Sequence, residues 1–459
     1  MRAVAAGHPA TADAGMEILD EGGSAADAAV AACLASCVAE TVMTGLLGGG
    51  HAIHFDATTG LTANLDCFIA VPGLGREPRP VTLLELEVPF GSELVHYAVG
   101  IGSCGVPGVA AGLDALWSQH GRLPWPRLVD PALRLAREGV PMPSAHASCL
   151  RMLQVVMTMN EGARIYSPGG ALLEEGDLLR QPGLVTALEA LAAEGARSAY
   201  EGTIGRALVE LMEERGGLVT EDDLHAYEAT WSEPLAFDFR GFALHTRPGL
   251  FDFPSALTAL PELQGLAEPD RALALVNALG GESPRQNGTT NLAVLDDEGN
   301  ACVVTTSLGL GSGDFVPGLD LQLNSMLGEA DLLVGPLEPG ERMASMMLPS
   351  LALDENGVVL GAGAAGGTRL RSALLQVVAG VLDEGIDLQA AVDRPRLHPV
   401  GSLVHLEAGF GPETIGALES AGFEVRDWPA RHHYFGGVSG VTRTGSAGDP
   451  RRSGAARAS

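Results

Sequence analysis

The stretch NGTTNLAVLDDEGN, Asn287 to Asn300, sets a glycine and two threonines directly before an alternating apolar run, Leu292 and Val294, that ends in the acidic turn Asp296-Asp297-Glu298-Gly299. Alternation of this period marks a strand, and the turn folds it back, so residues 291–304 read as a hairpin. A β-branched residue suits a strand start, which accounts for Thr290. Thr289 admits a second role. A threonine hydroxyl needs an adjacent base to act as a nucleophile, and one economical base is its own α-amino group once the preceding peptide bond is cut. Such an amine titrates at about 8. Gly288 fits a cut at this point, because a residue without a side chain can take a strained conformation that offers its carbonyl to the hydroxyl. From the residues alone the nucleophile is the minority reading, since most Gly-Thr-Thr triplets are ordinary strand starts, and both readings stay open.

Outward from the hairpin the chain has the composition of a globular protein. Its 459 residues allow a large buried core, with 46% hydrophobic and 19% charged residues. Acidic residues outnumber basic ones by 57 to 28, a formal charge of -29, which repels phosphate backbones and anionic membranes. Neither nucleic acid nor membrane is therefore an expected partner. Every basic side chain is an arginine, which we attribute to coding bias. Cys33, Cys37, Cys67, Cys104, Cys149 and Cys302 lie scattered, mostly among apolar neighbours, with no C-x-x-C pair. Buried free thiols in a reducing compartment explain them better than a disulfide framework or a zinc site. The opening MRAVAAGHPATADAGMEIL lacks an apolar core of signal-peptide length, and no later run would span a bilayer, so a cytoplasmic location is expected.

Ala10 to Val42 reads as two alanine-rich helices joined by a turn that Ser24 caps. TGLLGGGHAIHFDATTGLTANLDCF follows as a glycine cluster and two strands. Residues 106–215 are mostly helical with proline punctuation. Strand patterning returns in WSEPLAFDFRGFALHTRPG and near 351–353 and 358–360, and Leu370 to Leu382 is an apolar helix. Strands and helices alternate in blocks, which favours stacked layers of sheet and helix in one large domain over a doubly wound fold. The last stretch, about 442–459, has the composition of a disordered tail.

GAGAAG, Gly361 to Gly366, matches the dinucleotide fingerprint formally, but lies far from any opening βαβ unit. Close backbone approach to another group is the better reading. Gly366-Gly367 before the apolar helix would leave backbone N–H groups open to an oxyanion. The histidines show no metal spacing, and the adjacent side chains of His432 and His433 are expected to diverge. No metal and no cofactor is expected.

Much of the chain resembles the γ-glutamyltranspeptidase family of self-cleaving N-terminal-nucleophile (Ntn) hydrolases. The likeness runs through GHPATADAGMEILDEGGSAADAAVA, GLLGGGHAIHF, GVPGVAAGLDALWSQHGRLPW, VTEDDLHAYEATWSEPL, TTNLAVLDDEGNACVVTTSLG, AAGGTR, DRPRLHP and DPRRSGAA. It implies an α+β fold, a four-layer αββα sandwich formed jointly by two fragments of one precursor cut between Gly288 and Thr289. Residues 1–288 would be the large fragment and 289–459 the small, catalytic one, associated as one intertwined heterodimer. Thr289 would be the nucleophile, Ser307 a hydroxyl in contact with it, and Gly366 and Gly367 the oxyanion hole. Ser345 matches the first of two serines that hold a substrate carboxylate.

The departures lie in substrate binding. The family's D-F-R-E-T-A-P reads DCFIAVP here, so Phe68 replaces the arginine that grips the γ-glutamyl α-carboxylate and Ile69 replaces the following glutamate. Met346 replaces the second serine, Gly309 and Met326 replace an asparagine and a glutamine, and Asn291 stands where histidine is common. Glu329 stands near the aspartate that holds the substrate amine. A lid segment before Arg342 is short. The resemblance thus implies a self-processing amidohydrolase or acyltransferase that passes a non-γ-glutamyl acyl group to water or an amine. The alternatives are true γ-glutamyl hydrolysis or transfer with another arginine as clamp, cleavage of a carbon–carbon bond as in antibiotic-pathway relatives, and an unprocessed, silent binding or scaffold protein.

Overall fold

The computed structural model describes residues 1–90, 93–250, 252–280 and 289–459. Strands used below are β1 (Ala3–Ala6), β2 (Gly49–Asp56), β3 (Leu61–Cys67), β4 (Thr230–Ser232), β5 (Leu235–Phe239), β6 (Phe242–Thr246), β7 (Thr290–Leu295), β8 (Ala301–Ser307), β9 (Ser350–Asp354), β10 (Gly357–Ala365), β11 (Gly437–Thr442), β12 (Gly445–Ala447) and β13 (Ala455–Ala458). Helices used below are α1 (Pro9–Asp20), α2 (Ala25–Ala39), α3 (Val109–His120), α4 (Trp125–Glu138), α5 (Ser144–Met152), α6 (Glu268–Leu279) and α7 (Arg369–Leu382).

A seven-stranded antiparallel sheet runs β13-β1-β7-β8-β2-β3-β4, and a six-stranded one runs β12-β11-β10-β9-β6-β5. Alternation along β7 explains how they meet. Ala293 and Leu295 join Ile53, Val303, Leu351, Val358 and Val441 in an apolar layer between the sheets, whereas Leu292 and Val294 face the cluster that holds α1, α2, α3 and α4. A second helical cluster, built on α6 and α7, covers the other sheet.

Every residue of α2 is buried. Its sequence AADAAVAACLASCVA is apolar on all sides, as a helix enclosed on every face must be. Ser24 and Asp27 form a capping box at its start. There the Asp296 carboxylate, from the turn after β7, accepts from Ala25 N at 3.0 Å, Asn300 N at 2.9 Å and Glu298 N at 3.0 Å. At the far end Glu40 accepts from the Thr290 hydroxyl. The two lengths agree, since fifteen helical steps and six strand steps each span roughly 20 Å. Helix and strand are thus pinned at both ends.

The tail departs from expectation. Ala455–Ala458 forms β13 and pairs with β1 in register Ala3↔Ala458 to Ala6↔Ala455. Buried Arg451 is held by Glu407 and by Asp449 at 3.3 Å. Polar composition argued for disorder, but pairing covers an edge that β1 would otherwise leave open. The glycine-rich 361–366 run is mostly strand, not a phosphate loop, and a Cβ at Gly363 would lie 2.1 Å from Asn291 Oδ1. The six cysteines are buried free thiols. Among the described residues no helix is long and apolar enough to cross a membrane.

Asp296→Ala leaves several buried N–H groups without an acceptor. The expected cost is about 2 kcal/mol, read as a lower apparent unfolding temperature. An unchanged transition would remove this anchor from the account.

Candidate active site

Strand register gathers the expected residues at one end of the two sheets. Thr290 pairs with Thr306, Thr306 with Gly50 and Gly50 with Cys67, so Thr289, Ser307, Gly49 and Phe68 share one edge. In the second sheet Ala365 pairs with Gly437, which puts Gly366 and Gly367 at the end of β10 beside the start of β11. Asn291 ties the sheets together there, donating Nδ2 to the Ser439 carbonyl at 3.2 Å and accepting from Thr305 Oγ1 at 2.7 Å. Histidine at this position would displace that link.

Thr289 is 4% exposed. It lines a tight cavity with Gly7, Glu40, His146, Thr290, Ala365, Gly437, Asp449 and Arg452. Gly288, the other side of the expected cut, lies outside the described residues. Gly366 (φ 129°) and Gly367 (φ 60°) occupy the positive-φ region that favours glycine. A Cβ on Gly366 would meet Gly436 Cα at 2.9 Å, so the tight approach of two backbones excludes any other residue. Ser307 accepts from Gly309 N at 2.8 Å. The glycine cluster before β2 serves this edge, because a Cβ on Gly48 would lie 2.3 Å from the Ser307 carbonyl oxygen.

The residues that depart from the family pattern converge. Phe68, Ile69, Met326 and Met346 belong to one buried apolar cluster with Val71, Leu332, Met343 and Met347. Phe68 is 1% exposed and stacks on His51 with centroids 5.4 Å apart. Burial, with Arg247 and Arg342 nearby, holds His51 well below its ordinary pKa, so it stacks as a neutral ring. Glu329 fills the room at Gly309, where a Cβ would lie 2.4 Å from its Oε1. The Ser345 carbonyl accepts from Leu250 N at 3.1 Å and Arg247 Nη1 at 3.3 Å, and its hydroxyl accepts from Met347 N at 3.3 Å.

Four nearby groups escaped sequence reading: Glu40, His146, Arg247 and Arg452. Glu40 alone left a signal, as an acid closing an apolar helix. Burial raises it to about 7 against the hydroxyls of Thr290 and Thr11 and the charge of Arg452. Burial lowers His146 to about 3. The His432 and His433 rings do not diverge; their centroids are 4.1 Å apart, because a short 3₁₀ turn begins there. Among the described residues no cluster of side chains could hold a metal ion.

The family model described as gamma-glutamyltranspeptidase matches residues 11–279 and 267–459. The glutathione hydrolase proenzyme of Bacillus subtilis (strain 168) is 26% identical over 97% of this chain and 90% of that protein. The acylase ACY 1 proenzyme of Pseudomonas sp. (strain SE83) is 28% identical over 92% of this chain and 87% of that protein. The crystal structure of cephalosporin acylase from Bacillus halodurans superposes with a TM-score of 0.83 at 23% identity, covering 100% of this chain and 96% of that one. The mixed helix-and-sheet fold is that of such proteins.

Gly363→Ala drives a methyl group into Asn291 and breaks the link between β7 and the second sheet. The unfolding temperature is expected to fall, by a cost of about 2 kcal/mol. Full stability in this variant would show that Asn291 does not tie the sheets.

Proposed function

The chain belongs to the gamma-glutamyltranspeptidase family, Ntn-type hydrolases and acyltransferases, and from that premise we propose that it is a self-processing acylase whose substrate is not a standard γ-glutamyl amide. Residues 1–288 and 289–459 become two fragments of one αββα sandwich. In processing, the Thr289 hydroxyl adds to the Gly288 carbonyl, the peptide nitrogen leaves to become a free amine, and water cleaves the resulting ester. In turnover, Thr289 Oγ adds to the acyl carbon while its proton passes to that amine. Gly366 and Gly367 N–H groups stabilise the oxyanion, and Ser307 orients the nucleophile. The leaving amine takes the proton, and water or an acceptor amine resolves the ester.

The observation that carries this reading is the apolar cluster of Phe68, Ile69, Met326 and Met346. The resemblance implies that family members bind the polar end of a glutamyl group with side chains at these positions; here a charged α-carboxylate and ammonium would lose hydration with the arginine, second serine and glutamine partners gone. An apolar or differently substituted acyl chain fits better. The Pseudomonas acylase and the Bacillus halodurans cephalosporin acylase, by their names, are consistent with such a substrate.

One observation favours the second reading, a carboxylate-bearing γ-glutamyl substrate. Arg247, at the end of β6, donates to the carbonyls of Ser345 and Met347, both at 3.3 Å. No carboxylate lies within ion-pair distance of it among the described residues. Burial, only partly offset by Asp66, lowers it to about 10, so it remains a cation at neutral pH.

The decisive comparison sets butyryl-, glutaryl- and γ-glutamyl-p-nitroanilide against the processed protein. The first reading expects γ-glutamyl hydrolysis to be slower than that of at least one of the others. The second requires γ-glutamyl to be fastest and Arg247→Met to raise its KM by roughly 100-fold. Denaturing gels should show two fragments of unequal size. Thr289→Ala should leave one full-length band and no hydrolysis; a lasting wild-type band of full length would instead support a silent scaffold.

A further inference from the structure

Glu40 has no part in the reaction above. It follows the last residue of α2, is buried, and takes hydrogen bonds from hydroxyls on two other elements: Thr11 of α1 at 2.7 Å to Oε1, and Thr290 of β7 to Oε2. Thr290 is joined to Thr289 by a peptide bond. The backbone beside the pair carries no side chain: a Cβ on Gly7 would lie 2.4 Å from Glu40 Oε2 and 2.7 Å from Thr290 Oγ1. Only glycine leaves this room. Glu40, Thr289 and Thr290 then open on one cavity, with Arg452 and His146 on its wall.

We propose that Glu40 is a positioning residue for the nucleophile: through the Thr290 hydroxyl it fixes the backbone from which the Thr289 hydroxyl and freed amine project, and its charge tunes the protonation of that amine. The inference rests on the reading of Thr289 as nucleophile. Side-chain anchors act on this short strand at Asp296, which is too far away to hold its first residue, at Asn291, which is tied to Ser439 and Thr305, and at Thr290, which adjoins Thr289 directly. The hydroxyl link at Thr290 is the one nearest Thr289, and with the Asn291 tie it sets where Thr289 stands.

The electrostatic half follows from what faces Glu40. Arg452 comes from the C-terminal turn, Cys37 from α2 and His146 from α5; Asp449, on the same cavity, is ion-paired with Arg396 and Arg451. Burial keeps His146 neutral and raises the Cys37 thiol further, with a hydrogen bond to Cys33 as its first cause. Arg452 is thus the one fixed cation on the cavity wall without an ion pair among the described residues. Burial outweighs it and raises Glu40 to about 7. That is close to the value of about 8 for a free α-amine. Ionised Glu40 favours the ammonium form of Thr289, which cannot accept the hydroxyl proton; neutral Glu40 does not. Removing the charge should therefore lower the pH at which the amine becomes an active base.

Full-length Glu40→Gln, Thr290→Val, Thr290→Ser and Thr289→Ala chains test this. Self-cleavage is timed on denaturing gels after cell-free synthesis, and pH profiles are taken with whichever of the three p-nitroanilides the wild type hydrolyses fastest. Thr290→Val should slow cleavage and lower kcat about tenfold with KM little changed, and Thr290→Ser should restore both. Glu40→Gln should move the acidic limb of kcat/KM down by roughly one pH unit. Wild-type cleavage, kcat and pH limb in both Glu40→Gln and Thr290→Val would overturn the inference while leaving Thr289 as nucleophile. Cleavage in Thr289→Ala would instead defeat the underlying reading. Should Glu40→Gln fail to fold, loss in Thr290→Val with rescue in Thr290→Ser supports the positioning role, and wild-type behaviour of Thr290→Val overturns it.

Discussion

The structure depends on one constraint, the pinning of α2 along β7. An alanine-rich helix with no polar face has no stable place except inside the molecule, and there its ends must be satisfied. The chain satisfies them with residues of the strand itself and its turn: Asp296 receives Ala25 N at the start, and Glu40 receives Thr290 at the finish. The strand gains a fixed register and a fixed starting point. Because the proposed nucleophile is the residue just before that strand, the packing of a buried helix and the placing of a hydroxyl become one problem.

That arrangement separates the proposed reacting end from the proposed substrate pocket. Thr289, Ser307 and the 366–367 glycine pair are held by backbone register, strand ends and glycine conformations, none of which depends on the chemistry of a distant acyl chain. Phe68, Ile69, Met326 and Met346 come together in one buried apolar cluster, at positions where the family resemblance implies polar residues. A lone hydrophobic replacement in a polar pocket would strand its former partners without hydrogen bonds. Replacement as a set avoids that cost, so the cluster has the form of a rebuilt pocket rather than a decayed one. Methionine suits the task, since its flexible side chain fills irregular space.

Much of this was legible in the sequence. Period-two alternation gave the hairpin, Ser24 gave the helix start, and doubled glycine gave the tight approach at Gly366, where Gly436 closes in. Each is a local signal with a local cause. What was not legible is what depends on distant partners. The C-terminal segment looks disordered in isolation and becomes a strand only because β1 offers an edge. Arg247 and Arg452 are ordinary arginines in sequence; their partners Ser345 and Met43 lie 98 and 409 residues away. Glu40 escaped the sequence reading although an acid closing an apolar helix is a signal, and its hydroxyl partners and raised pKa exist only after three elements meet.

The absence of lysine gains a physical meaning at this site, whatever its origin. A buried lysine gives up its proton readily and would present a second amine near a reaction that, in the proposed mechanism, needs one amine of controlled basicity. Arginine stays charged when buried and cannot compete as a base. Arg452, on the cavity wall, therefore acts as a fixed positive charge, which lowers the pKa of any neighbouring amine and favours its neutral form. Glu40 opposes it, and its own proton leaves in nearly the same pH range. The balance between one unswitchable cation and one switchable acid would, in the proposed mechanism, set the basicity of the terminal amine without a histidine: burial has already made the histidine on the cavity wall, His146, neutral.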